Sequence, residues 1–376
     1  MHVLQKYFRN EISRAVLFVL ISLLVLTSFF DLMGEVRAVG ADAYEIRHAL
    51  LVVALGIPGN IYDFMPIAVL IGTIYVLAQF AANSEFTIMR AASMSPWQAA
   101  KLLFRVAFIF VILTFVVGEW LAPWSADLAK KVKLNSSRGL VAQNFRTGLW
   151  TKDVIRDNGA SGAIIGSRFI NVKEVTPDQV FLDLKIEEFN SEFELIREIT
   201  AKKAAYIRPH VWLLSDVVET SFPKNLESEE IAASHTSLSV SKELISDITP
   251  DILLILFVEP ERMSAYDLAA YTQHLTENKQ ASATYQMAFW KKISYPFSIL
   301  VMMALALPFA FLHARNGGIS LRIFYGIMLG MLFYLVNSLF SHLGLIHTWP
   351  ALITALFPSL LFSIIALGML RYVQGR

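Results

Sequence analysis

The chain has 376 residues, of which 55% are hydrophobic and only 17% charged, against roughly 25% charged in an average soluble protein, and that disfavours an ordinary soluble enzyme. A net charge of +1 without any basic run sets aside nucleic-acid binding, and zero cysteines exclude disulfides, thiolate metal sites and thiol nucleophiles. The charge is spread unevenly: 41 charged residues fall among the 163 at positions 123–285 and 22 among the other 213, so a water-soluble insert lies between two membrane-like flanks.

A helix crossing about 30 Å of hydrocarbon needs about 20 mostly apolar residues. In chain order the first such run covers residues 12–30, with Arg14 near its start placed to snorkel to the headgroups. Its flank of Lys6 and Arg9 also fits a signal peptide, but the apolar run is long and no convincing small-x-small cleavage site follows it closely. The second run is interrupted by Pro58, Gly59, Asn60 and Asp63, which puts the spanning part at residues 64–82 and leaves 49–57 as an interfacial helix or an extension of the span. A short polar loop follows, in which Asn83 or Ser84 can cap a helix starting with Glu85, and Phe86, Met89 and Arg90 fall at helical spacing. A lipid-facing interfacial helix and a docking helix fit this loop equally well. The third run, 102–120, closes on Glu119.

Residues 140–150, 163–172, 180–186, 193–207, 211–222 and 236–240 then read as strands separated by turns such as Asn158-Gly159 and Pro177-Asp178. Val180, Leu182, Leu184 and Ile186 alternate with Phe181, Asp183, Lys185 and Glu187, the pattern of a strand with one buried face. Six strands without a helical pattern between them argue for an all-β sandwich or jelly roll, with Trp150 and Trp212 in its core. Met263 to Leu275 is an amphipathic helix that Ser264 is placed to cap. Three clean spans end the chain: 293–312, 323–345 and 349–370.

Basic residues near helix ends prefer the cytoplasm. With the N-terminus inside, Lys6, Arg9, Arg14, Arg90, Lys101, Arg105, Arg315, Arg322, Arg371 and Arg376 lie inside, against Arg37 and Arg47 in short outer loops. Both termini are then cytoplasmic and the β domain lies outside; Lys291 and Lys292 run against the rule. The motifs of zinc proteases, serine hydrolases and nucleotide-binding P-loops are absent, and His342 and His347 have no metal-site spacing, so neither metal nor cofactor is expected in this chain. Asp63 reads as part of an interfacial bend more than as a proton relay, which disfavours gradient-driven transport.

The run Ser84-Glu85-Phe86-Thr87-Ile88-Met89-Arg90-Ala91-Ala92 strongly resembles the inner-loop signature of the lipopolysaccharide-export permeases, the paired LptF and LptG (YjgP/YjgQ) subunits of a Gram-negative ABC transporter. The likeness extends over Gly118-Glu119-Trp120-Leu121-Ala122-Pro123, Gly148-Leu149-Trp150-Thr151-Lys152-Asp153, Trp212-Leu213-Leu214-Ser215, the segment 268–275 and Phe357-Pro358-Ser359, in order along nearly the whole chain. Its Glu-Trp-x-Ala-Pro and Gly-Leu-Trp-x-Lys-Asp elements look like the G type.

The resemblance implies a polytopic α-helical protein with six transmembrane helices and one inserted periplasmic β-jelly-roll. Helices one to three would occupy 1–122, the jelly roll 123–260, an amphipathic connector 261–285 and helices four to six 286–376. It implies a permease rather than an enzyme, in the inner membrane, paired with an F-type subunit. A cytoplasmic ATPase dimer would bind ATP and Mg, and a periplasmic bridge with a membrane-anchored jelly-roll component would receive the lipid. By position the coupling helix is 83–92, with Glu85, Phe86, Met89 and Arg90 meeting the ATPase. Lipid would enter between helix one of one subunit and helix five of the other, past Phe30, Asp31, Arg37, Phe333, Tyr334, Asn337 and Phe340, and reach the β domain at Leu182, Leu184 and Ile186. Family members of this type often place lysines at the outer end of helix one; Asp31 and Glu35 stand in that region here, leaving Arg37 as the clear cation. Rival readings are the F-type paralogue and a membrane enzyme modifying envelope lipids.

Overall fold

The computed structural model describes the chain apart from residues 1, 41–42, 84, 86–95, 137–147, 159–160, 177–179, 223–233, 251–258, 278–279, 311–318 and 375–376. Six helical stretches are long and apolar enough to cross a membrane. The first two are α1 (His2–Val36) and α2 (Ile46–Ala82). The third is α3 (Pro96–Val116), which passes through a π turn (Val117–Leu121) into α4 (Ala122–Ser136). The fourth joins α6 (Ala283–Ser294) to α7 (Ser298–Ala306), and the last two are α8 (Ile319–Ile346) and α9 (Ala351–Gln374). A short helix, α5 (Ala265–Glu277), precedes α6.

Two helices run further than their sequence suggests. Pro58, Gly59 and Asn60 do not interrupt α2, which continues from Ile46 and includes Pro58 and Pro66. A proline removes one backbone bond, but neighbouring helices hold this segment in place, and 72% of its most apolar window is buried. At about 1.5 Å per residue α2 is about 55 Å long, so one end stands clear of the hydrocarbon. The helix expected to stop near Trp120 likewise goes on to Ser136, because the π turn absorbs Glu119 without ending it.

The core of the bundle is built around α2, which touches α1, α4, α7 and α8. Close approach needs small residues where apolar lipid supplies no hydrophobic drive. A Cβ on Gly72 would lie 2.7 Å from the Val16 nitrogen of α1, and one on Gly326 would lie 2.8 Å from Ile74 Cδ1. In the π turn a Cβ on Gly118 would lie 2.4 Å from the Tyr62 ring. Gly118→Ala is therefore expected to lower stability by about 1–3 kcal/mol through overpacking. Gly34→Ala, where a Cβ meets nothing within 4 Å, should be neutral or better. Thermal unfolding in detergent checks both; a Gly118→Ala protein as stable as the parent would refute the packing argument.

The β domain contains β1 (Leu149–Asn158), β2 (Ser161–Val175), β3 (Phe181–Asn190), β4 (Leu195–Arg208), β5 (Val211–Ser221) and β6 (His235–Ile245). All neighbours are antiparallel and the order is β1-β2-β3-β4-β5-β6, a meander in a single sheet among the described residues. The sheet rolls until the residues after β6 reach β1 and β2, where Asp153 is fully buried. Its Oδ2 accepts from Arg168 Nε (2.9 Å) and Ser246 Oγ (2.6 Å), and its Oδ1 accepts from the Val154 amide (2.9 Å). Arg156 pairs with Asp247 at 3.2 Å beside them.

Inside the roll, Phe181, Leu184, Ile186, Ile199, Trp212 and Leu214 form the core. The even-numbered alternation expected for β3 fails at Leu182, which is only half-buried while Phe181 is fully buried. Asp183 has φ 51° and Asp216, one strand beyond β4, has φ 54°; the inward set changes parity at both. Parity also separates the two tryptophans. Trp212 is buried and donates Nε1–H to the Ile248 carbonyl at 2.8 Å, whereas Trp150 lies outside because Leu149 takes the inward position on β1. The strand expected from 140 falls mostly outside the described residues.

Candidate functional site

Of the six spans, α1 and α8 are the least covered by the rest of the chain, although α3 and α9 also leave apolar side chains exposed. Only 11% of the most apolar window of α1 and 17% of that of α8 are buried, against 72% for α2 between them. On α1 the open face includes Phe18, Ile21, Val25, Phe29 and Phe30; on α8 it includes Phe324, Met328, Met331 and Leu335. Side chains at such three- and four-residue intervals form one stripe along a helix.

A cavity of about 340 Å³ lies at the β-domain end, between α2, the turn Pro260–Arg262, α6 and α8. Tyr334 and Asn337 line it, together with Asp63, Arg262, Lys291 and His342. Phe333 and Phe340 do not. Phe333 is buried edge-on against Phe362, with ring centroids 5.2 Å apart, and Phe340 stacks on Phe357 at 4.4 Å. Phe30, Asp31 and Arg37 are exposed at the end of α1. Leu184 and Ile186 are sealed in the core of the sheet.

Polar side chains stitch the helices together at this same end. Asp31 Oδ2 accepts from Asn60 Nδ2 (3.0 Å), and Asn60 Oδ1 accepts from Arg262 Nη2 (3.2 Å). Arg262 Nη1 also pairs with Asp63 Oδ2 at 3.2 Å. One turn along α1, Glu35 accepts from Lys133 Nζ of α4 (2.5 Å) and from the Tyr44 hydroxyl (2.8 Å). Burial, then the hydrogen bond to Glu35, pushes the Tyr44 phenol up from its ordinary value, which keeps it a neutral donor. Glu119 in the π turn accepts from the Ala265 amide at the start of α5, and Ser264 caps that helix by accepting from the Asp267 amide at 3.1 Å.

Lys292 runs against the charge rule because it is held inside the protein. Its ammonium sits 4.9 Å from the Tyr62 ring centre and donates to the Glu261 carbonyl at 3.4 Å. Sequence reasoning did not single out Asn60, Lys133, Arg262 and Lys292 as members of this polar network. Their signals were the polar island of Pro58 to Asp63 inside an apolar run and the doublet Lys291-Lys292 on the wrong side; their partners lie far away in the chain.

At the opposite end, Glu85 is helical and half-buried. It accepts from Tyr7 Oη at 3.2 Å and from Asn83 Nδ2 at 3.3 Å. Phe86, Met89 and Arg90 lie outside the described residues.

Six apolar helices with a six-stranded antiparallel sheet between the third and fourth agree with a comparison against protein families. Residues 6–372 match the model described as lipopolysaccharide export system permease LptF/LptG. The chain belongs to the LptF/LptG family. It is 30% identical to the lipopolysaccharide export system permease protein LptG of Haemophilus influenzae over 364 residues, 96% of each chain. With the protein of the same name from Escherichia coli K12 it shares 29% identity over 369 residues, 98% of each chain. Within the family it is thus most similar to the LptG type, as the Gly-Leu-Trp-x-Lys-Asp element implied.

Proposed function

We propose that this chain is the G-type permease subunit of an ATP-driven lipopolysaccharide exporter, working in the bacterial inner membrane with its β domain in the periplasm and both termini in the cytoplasm. An F-type permease completes the pair. A cytoplasmic ATPase dimer binds ATP and Mg and drives the cycle; lipid drawn from the outer leaflet passes to a periplasmic β bridge and its membrane-anchored partner. The observation that carries this reading is the open apolar stripe on α1 and on α8. In a bilayer any spanning helix can face lipid, but these two are the least covered of the six, as suits walls open to lipid chains or to another subunit. Asn337 and Tyr334, lining the cavity beside the α8 stripe, offer polar groups near the level where sugars and phosphates would sit.

Photo-crosslinking in exporting cells tests this. A crosslinker at Phe30, Arg37, Tyr334 or Asn337 is expected to yield lipopolysaccharide adducts, and one at the buried Phe362 none. Exporting cells without adducts at any of the four sites would refute it.

A further inference from the structure

Asp31 and Glu35 stand four residues apart and so share one face of α1. They occupy the end of the helix where lipid phosphates would favour cations, yet both are committed to groups of the protein. Glu35 holds Lys133 on α4, the helix by which the chain runs toward β1. Asp31 holds Asn60, and Asn60 holds Arg262, the last residue of the turn by which the chain returns from the β domain. The two passages between membrane and sheet are therefore both tied to one face of α1.

The seat for Arg262 is cut into α2. A Cβ on Gly59 would lie 1.8 Å from Arg262 Nη1 and 2.7 Å from its Cζ, so the guanidinium lies against bare helix backbone that only glycine provides. Asn60, the next residue, and Asp63, one turn further along α2, then grip it. The polar island that reads in the sequence as a bend is a socket.

We propose that Asp31 and Glu35 are positioning residues that fasten α1 to both roots of the β domain, so that the wall helix and the domain move as one unit when lipid is passed upward. Hydrogen bonds between a helix end and two separate chain passages restrict relative motion even where each contributes little to stability. The proposal rests on the reading of α1 as a wall of the lipid path.

The test uses the full complex with its permease partner and ATPase in lipid nanodiscs. This chain has no cysteine, so spin labels at Met33→Cys on α1 and Ser191→Cys in the turn after β3 are unique within it. Both sites are exposed. A narrow distance distribution is expected in the parent. It should broaden in Asp31→Ala with Glu35→Ala, which removes the acceptors, and equally in Gly59→Ala, which strengthens the helix but fills the socket. Gly56→Ala in the same helix, where a Cβ meets nothing within 4 Å, should leave it narrow. Lipid released per ATP should fall about tenfold in the first two variants, and the swap Glu35→Lys with Lys133→Glu should restore it. Unchanged distances in Gly59→Ala overturn the proposal, as do broadened distances with undiminished release. Labels that respond as expected in a complex that takes no lipid along α1 would uphold the fastening and refute the wall.

Discussion

Asp153→Ala will unfold or loosen the β domain at a cost of about 3–5 kcal/mol, the effect of removing one partner from a buried ion pair. Asp153 has no exposed surface, and its two oxygens take donors from three places: its own strand, β2 and the segment after β6. Without it, Arg168, itself buried, is left with Glu188 at 3.6 Å as its carboxylate and with the carbonyls of Val154 and Ile245. A buried charge left with carbonyls and one more distant carboxylate is less compensated than one held by a carboxylate at 2.9 Å. Ser246→Ala removes a single donor and should cost about 1 kcal/mol. Asp153→Asn, which keeps the shape and loses the charge, should fall between the two. Hydrogen exchange of β1 and β2 amides in the intact protein, followed against temperature, gives the order. Equal and small losses in all three variants would show that apolar packing, not this cluster, closes the roll.

The parts legible in the sequence and the parts that were not differ in the range of the forces behind them. Lipid crossing is a local demand for length and apolarity, so the six spans stand out in residues such as 323–345 without reference to anything else. Strand alternation is also local, and β4 and β5 lie close to where it puts them. It misleads where a distant group changes the rule. The segment Thr151 to Asn158 carries Lys152, Asp153, Arg156 and Asp157 and does not look like a half-buried strand, because Asp153 is turned inward by Arg168. Asp183 and Asp216 reset the alternation by a backbone angle that the residue type permits but does not demand. Pro58 and Asn60 promised a break in α2. The helix persists because packing against its neighbours holds it, and Arg262, two hundred residues later, lies in the gap that Gly59 leaves. The open stripes on α1 and α8 belong to the same class, since nothing in either helix says that its neighbour is another chain or a lipid.

Glu85→Lys is expected to lower ATP-driven lipid export by about 100-fold, with insertion and folding of the chain intact, since like charges juxtaposed at an interface cost several kcal/mol. Glu85 follows the end of α2, whose last residues carry no basic side chain. Its carboxylate is held toward Tyr7, whose ring stacks on Phe80 with centroids 5.4 Å apart. Both of these contacts of the carboxylate are neutral donors, so its charge is not consumed within them, and the expected loss rests on the proposal that this segment meets a basic surface of the ATPase. Two further variants separate this role from a purely internal one. Tyr7→Phe removes the internal hydrogen bond and leaves the charge, and should retain most export. Glu85→Gln keeps a hydrogen-bonding group and removes the charge, and should fall between Tyr7→Phe and Glu85→Lys. Measured as lipid released per ATP hydrolysed in the reconstituted complex, the expected order is parent, Tyr7→Phe, Glu85→Gln, Glu85→Lys. If Tyr7→Phe were as damaging as the charge reversal, the carboxylate would be serving the packing of α1 on α2, and the assignment of this segment as the coupling element would fall.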